Sequence, residues 1–322
     1  MTSTRVVIGG STGFIGRHLQ EKYRAEGREV VTISRGRADL AWGDQAGIDR
    51  AVDGAGLVIG LAGKSVNCRY TPENRAEIFR SRLDTTGSLS TAISRASSPP
   101  LLWVNSSTAT IYRHAEDRPM TEDGGELGTG FSVEVAKAWE RALLADDLPA
   151  TRRVALRTAI VLGDAGVLGP LRSLARLGLG GTQLDGRWPV GARRRAAGTG
   201  HFPGAKGGTQ KFSWIHVDDV LGIIDFLEGH PSLEGPVNAA SPHPSDNRTF
   251  MATVRRVLGV PFGPPMPRWM LELGAVGIRT ETELILKSRW AIPQRLLDAG
   301  YTFRHPGLEE AIRSSFALPD AA

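Results

Sequence analysis

The segment Arg5-Val-Val-Ile-Gly-Gly-Ser-Thr-Gly-Phe-Ile-Gly16 decides the fold class. Apolar and β-branched residues run straight into Gly10-x-x-Gly13-x-x-Gly16, and a helical pattern follows with Ile15, Leu19 and Tyr23 on one face. A strand that ends in glycines and opens a helix is a phosphate site. Gly10 permits the tight turn, Gly13 lets backbone N–H groups approach a pyrophosphate, and Gly16 lets the helix lie close on the sheet. The helix N-terminus adds unpaired donors and the positive end of a dipole. A glycine triplet alone is weak evidence; here both flanks are those the motif requires. Ser11, Thr12, Phe14 and Ile15 complete the turn as expected cofactor contacts.

Outward from this turn, strand and helix alternate. Glu29–Ser34 reads as a second strand, Leu57–Leu61 as a short buried one, Leu101–Asn105 as the next, and Val154–Leu162 as another. Helical patterns lie between, with Ile78, Leu83 and Leu89 in one and Ala136, Trp139 and Leu143 in a second near 132–144. Nearly continuous apolar strands separated by helices predict a Rossmann-like, doubly wound parallel α/β sheet covered on both faces. A dinucleotide-binding domain is expected over 1–165, with 213–242 returning to it. Residues 166–212 read as a Gly/Arg-rich insertion or lid, and 243–322 as a smaller, mostly helical substrate-side domain.

The composition narrows the class. The 322 residues are 41% hydrophobic, enough for one large α/β unit or two domains. A net charge of +5 suits an anionic cofactor or a small, anionic substrate and does not indicate nucleic acid. Cys68 is the only cysteine, which excludes an internal disulfide and a cysteine metal cluster; no metal site is expected. No apolar run reaches membrane-span length, and a strand begins almost at the N-terminus, so the expectation is a cytoplasmic monomer or homodimer with no membrane partner.

The second strand ends in Ser34-Arg35-Gly36-Arg37. A carboxylate there would bind a ribose 2′-hydroxyl and repel a 2′-phosphate; none stands there, and two guanidiniums do. The expected cofactor is therefore NADP(H), with Ser34 and Arg35 as contacts.

Ser106-Ser-Thr-Ala-Thr-Ile-Tyr112 and Trp214-Ile-His-Val-Asp-Asp219, with the glycine motif, resemble the extended short-chain dehydrogenase/reductases. Leu61-Ala-Gly63, Ser81-Arg82, Trp139-Glu140, Val237–Pro242 and the block Ile292–Ile312 are similar to the atypical epimerase family branch, which carries a small helical C-terminal domain. The resemblance implies NADP binding through Leu61, Ala62, Gly63, Ser106 and Ser107. It implies hydride transfer at a carbonyl or alcohol carbon, as an oxidoreductase or epimerase, with Thr108 orienting the oxygen. In that superfamily a Tyr and a Lys four residues later move the proton. Counting back from Glu140 puts Ser132 at the tyrosine place and Ala136 at the lysine place; Lys137 comes one residue late, rotated by about 100° on the helix.

Remaining catalytic candidates are Thr108, Tyr112 and Lys137, with Asn67, Arg69, Arg157 and His216 as substrate contacts. From Arg187 to Phe212 there are six Lys/Arg and no Asp or Glu. This run is longer than the resemblance implies, and it reads either as a lid that recruits an anionic substrate or as a solvated loop. The missing Tyr–Lys pair leaves a second reading open, a non-catalytic NADP(H)-binding redox sensor or partner-binding protein.

Overall fold

The computed structural model describes residues 4–201, 203–277 and 279–318; Phe202 of the basic run lies outside them. The chain runs β1 (Arg5–Gly9), α1 (Phe14–Ala25), β2 (Glu29–Ser34), β3 (Leu40–Ala41), α2 (Gln45–Val52), β4 (Leu57–Gly60), α3 (Pro72–Arg95), β5 (Leu102–Thr108), α4 (Phe131–Leu144), β6 (Arg152–Thr158) and β7 (Ile160–Leu162). It continues with α5 (Leu168–Arg176), α6 (Ala192–Ala196), β8 (Lys211–Phe212), β9 (Trp214–His216), α7 (Val217–Gly229), β10 (Gly235–Ala239), β11 (Ser245–Asp246), α8 (Asn247–Val257), α9 (Arg268–Gly277), α10 (Glu283–Leu286), α11 (Gln294–Asp298) and α12 (Leu308–Ser315).

Seven parallel strands form the main sheet in the order β10-β6-β5-β4-β1-β2-β3. The order reverses between β1 and β4, which opens a crevice at their carboxyl ends. Strand alternation sorts the core. Val6, Ile8, Leu57, Ile59, Val104 and Leu156 face α1 and α7 through Leu19, Tyr23, Ile223 and Leu227. Val7, Ile33, Val58, Trp103 and Ala155 face the other layer through Ile48, Val52, Leu89, Ile93 and Leu143. A second core joins Leu162, Leu171, Trp214, Phe250, Val254 and Ile312 around the C-terminal helices.

The continuous strand expected over Val154–Leu162 is two. Ala159 donates its N–H to Ala239 at the sheet edge, and β7 then pairs with β9 in a separate two-stranded parallel sheet. The apolar run does not show this break because both halves are packed in cores. The described residues of the basic run contain α6. Asp185, with a fully buried side chain, receives hydrogen bonds from Arg268 and Gly204 and pairs with His201; Arg194 pairs with Glu281 and lies 3.6 Å from Glu272. These contacts clasp the insertion to α9 and the loop before α10, while Arg187, Arg193, Arg195 and Lys206 stay exposed. Among the described residues, no helix is long and apolar enough to cross a membrane.

Candidate functional site

The glycine turn sits at the crevice. Gly10 has φ +81°, and a Cβ there would lie 2.7 Å from the Ala62 nitrogen, so the turn and the chain leaving β4 are in backbone contact. A Cβ on Gly16 would lie 2.7 Å from the Gly10 carbonyl oxygen. Gly13 differs: its φ is −73° and a Cβ would meet only the Gly10 oxygen, at 3.2 Å. Gly13 caps α1, yet no side chain caps the helix and its first turn holds no acidic residue. Its first N–H groups therefore keep their donors for an anion. Ser11 is buried, and its hydroxyl has no partner among the described residues. A bare helix N-terminus, an orphaned hydroxyl and glycine backbone with room above Gly13 fit a pyrophosphate. Thr12 is exposed at the same turn, Arg17 donates to its carbonyl oxygen, and Phe14 and Ile15 are half-buried at the start of α1.

At the end of β2 the buried Ser34 hydroxyl accepts from the Gly36 N–H. Arg35 and Arg37 project to solvent; Arg35 has one distant carboxylate, Glu77, at 3.9 Å. The nearby Asp39 is turned back, accepting from the Thr32 backbone and hydroxyl. The surroundings of Ser34 thus offer positive charge and no free carboxylate.

Beyond the turn lies a cavity of about 230 Å³, walled by Leu61, Gly63, Arg82, Ser106, Ser107, Thr108, Thr110, Phe131, Ser132 and Trp139 among others. Thr108 presents its side chain to this space while its hydroxyl oxygen accepts from the Thr110 N–H. Ser107 donates to Glu140 at 2.6 Å, and Arg157 grips the same carboxylate with two bonds of 2.8 Å. A much larger open groove, lined by Leu101, Arg152, Pro236 and Arg295 among others, lies at the amino ends of the strands, away from these groups.

Several expected roles change. The Tyr112 hydroxyl is buried, donates to Asn238 and accepts from Arg157; it is engaged by these partners outside the cavity wall, and burial raises its pKa. Arg157 is consumed by Glu140 and Tyr112 and lies behind the wall instead of forming the substrate floor. Lys137 turns away, as its rotation on α4 dictates, to the Gly128 carbonyl and Glu134. Arg69 is spent on the Thr280 carbonyl and sits 3.5 Å from Glu281. His216 is buried against His305 at the start of α7, where its ring accepts from the Asp218 N–H. Asn67 is exposed on the loop after β4, outside the cavity wall.

Arg82 is a site residue that the reading of the sequence left without a role. It is buried in the cavity wall, stacked on Trp139 and bonded to the Lys64 and Ile78 carbonyls, with no carboxylate partner among the described residues. Burial pushes its pKa down to about 10, which leaves it charged at neutral pH. Its one sequence signal was the Ser81-Arg82 pair, which does not reveal the face Arg82 takes on α3.

Residues 6–133 match the NAD dependent epimerase/dehydratase family, and residues 266–315 match a domain of unknown function, DUF1731. The epimerase family protein SDR39U1 of Bos taurus is 32% identical over 97% of this chain and 100% of its own length. YfhF of Bacillus subtilis, also an epimerase family protein, is 27% identical over 97% of this chain and 98% of its own. The crystal structure of human SDR39U1 (isoform 2) with NADPH superposes with a TM-score of 0.81 at 28% identity, covering 97% of this chain and 98% of that one. MoeE5 in complex with UDP-glucose and NAD, at 18% identity and a TM-score of 0.71, shares the fold over 97% of both chains. The chain belongs to the NAD dependent epimerase/dehydratase family, in its atypical extended short-chain dehydrogenase/reductase branch, and carries DUF1731 after the sheet.

Proposed function

We propose that this protein is an NADP(H)-dependent oxidoreductase or epimerase acting on a carbonyl or alcohol carbon of a small anionic molecule. The observation that carries the reading is one crevice in which an uncapped, glycine-cleared helix N-terminus adjoins a cavity walled by Thr108 and by Arg82, which has no carboxylate partner among the described residues. The NADPH in the human SDR39U1 structure supports the choice of cofactor.

Gly10, Ser11, Thr12, Gly13, Phe14, Ile15 and Gly16 would hold the pyrophosphate, and Ser34 and Arg35 the 2′-phosphate. Leu61, Ala62, Gly63, Ser106 and Ser107 would wall the nicotinamide half. When bound, the cofactor supplies or takes a hydride. Thr108 orients the substrate oxygen by a hydrogen bond. Ser107 is fixed by Glu140, which Arg157 in turn fixes, so the strand end keeps one rotamer without reorganisation. Arg82 draws an anionic group into the cavity, where low polarity strengthens the attraction. The clasped insertion closes toward the same side, since the Gly198 carbonyl accepts from the Phe131 N–H at the start of α4. The single cysteine suits a reducing compartment, and we place the protein in the cytoplasm.

Deuterium tracing tests the reading. The holoprotein is incubated with NADPH deuterated at C4 and a small-molecule cell extract. Transfer of label into an acidic product, or isomerisation without net cofactor oxidation, is the expected result. Retention of all label in bound cofactor would favour the sensor reading, whose support is that Lys137 and Tyr112 are both turned to structural partners.

A further inference from the structure

The place of the usual tyrosine, Ser132, is not inert. Its side chain lines the cavity, and its hydroxyl donates to Glu283 at 3.3 Å and lies 3.4 Å from the Tyr70 hydroxyl. Glu283 arrives from α10, in the DUF1731 region, 151 residues away in the chain. Leu284, the next residue, enters the cavity wall itself.

Three buried acids reach this part of the molecule from the C-terminal region, and their partners differ. Glu272 holds Arg268 and Thr282 and lies near Arg194. Glu281 holds Arg194 and the Tyr70 N–H, with Arg69 beside it. Both are filled. The Glu283 carboxylate, among the described residues, accepts one hydrogen bond, from Ser132, and makes no ion pair within 4 Å. A carboxylate has about four acceptor sites, and leaving them empty in a buried place is costly.

The charged and titratable groups facing Glu283 are Lys287, Arg289 and Tyr70. Lys287 donates to the Thr110 carbonyl, and Arg289 to the Thr110 hydroxyl and the Leu284 carbonyl. Both cations are hydrogen-bonded to neutral groups, Arg289 also to the Glu283 backbone carbonyl, and lie near the acid without bonding its carboxylate. Burial and the charge of Arg289 push the Lys287 pKa down to about 8. Burial raises that of Tyr70, which makes its phenol a poor proton source at neutral pH.

We propose that Ser132 and Glu283 replace the missing Tyr–Lys pair as the proton-transfer couple of this site. The inference rests on the reading of the protein as a nicotinamide-dependent enzyme of carbonyl carbons. In reduction the cofactor, when bound, would supply a hydride to the carbonyl carbon as the C=O π bond opens. The oxygen takes the Ser132 proton, and Ser132 is reprotonated through Glu283, which passes on a proton taken up from solvent. Oxidation runs the same transfers backwards, with the Glu283 carboxylate receiving the proton. Ser132 is the catalytic residue, and Glu283 acts through it.

Two measurements on the full-length, NADPH-loaded protein test the couple. Infrared difference spectra between pH 4 and 9 should contain a carboxyl band that Glu283→Gln removes and Ser132→Ala shifts. A spectrum unchanged by either substitution overturns the proposal, whatever the protein turns over. With a substrate found by deuterium transfer, Ser132→Ala and Glu283→Gln should each lower kcat by about 100-fold or more. Both should leave KM for NADPH within about two-fold, while Glu283→Asp recovers part of the rate. Glu283→Gln should also abolish one limb of the pH–rate profile. Wild-type rate and pH profile in both variants would overturn the couple while the functional reading stands. NADPH binding with no label transfer in the wild type would overturn the reading, and the infrared result would still decide the pairing.

Discussion

Alanine at the three motif glycines should separate folding from cofactor binding. At Gly10 a side chain must adopt φ +81°, at a cost of about 1–2 kcal/mol, and its Cβ would be pressed to 2.7 Å from the Ala62 backbone. Overpacking against backbone adds about 1–3 kcal/mol, so Gly10→Ala should lose about 2–5 kcal/mol of stability. Gly16→Ala meets the Gly10 oxygen at 2.7 Å with the same overpacking cost, offset by about 1 kcal/mol of helix propensity. Gly13→Ala has an ordinary φ and one contact at 3.2 Å, and a cap change from Gly to Ala costs about 1 kcal/mol at most. Its methyl group stands where a phosphate must approach the bare N–H groups. Urea melts should therefore rank Gly13→Ala nearest wild type. NADPH titrations followed by fluorescence should show its Kd raised at least ten-fold, about 1.4 kcal/mol. Wild-type affinity in a folded Gly13→Ala variant, or wild-type stability in Gly10→Ala, would refute the assignment of the turn.

Arg157→Met should destabilise the protein by about 3–5 kcal/mol in denaturant melts, because it strands the Glu140 carboxylate and removes a donor from Tyr112; Arg157→Met together with Glu140→Gln should recover much of that loss. Burial alone would raise the Asp185 carboxyl pKa, but bonds from His201 and Gly204 overcome it and hold the value at about 2. A folded pKa below the unfolded one stabilises above about pH 4 and is lost as pH falls toward 2, a contribution of about 2 kcal/mol. The stability gap between wild type and Asp185→Asn should accordingly shrink between pH 4 and 2; a gap that does not change with pH would contradict the clasp.

The sheet was legible because its signals are local. Glycines at 10, 13 and 16 follow an apolar strand directly, and alternate residues such as Val6 and Val7 face opposite cores. The site was legible where one strand end carries it, as at Ser106, Ser107 and Thr108. It was not legible where the partner is remote: Arg69 meets Thr280 across 211 positions, and Ser132 meets Glu283 across 151. A free guanidinium and one already gripped look alike in a sequence. Arg157 and Arg69 were therefore expected at the substrate, while Arg82, with no carboxylate partner among the described residues, holds the wall.

The central claim is that the crevice selects NADP(H) through the charge at the end of β2. The direct measurement is parallel titration of NADPH and NADH into wild type and Arg35→Ala at one ionic strength. A charge-assisted bond to the 2′-phosphate is worth about 1.5–3 kcal/mol before solvent screening. NADPH should bind wild type at least ten-fold tighter than NADH, and Arg35→Ala should weaken NADPH about five-fold or more while leaving NADH within two-fold. Equal affinities in wild type, tighter NADH, or no binding of either would contradict the account.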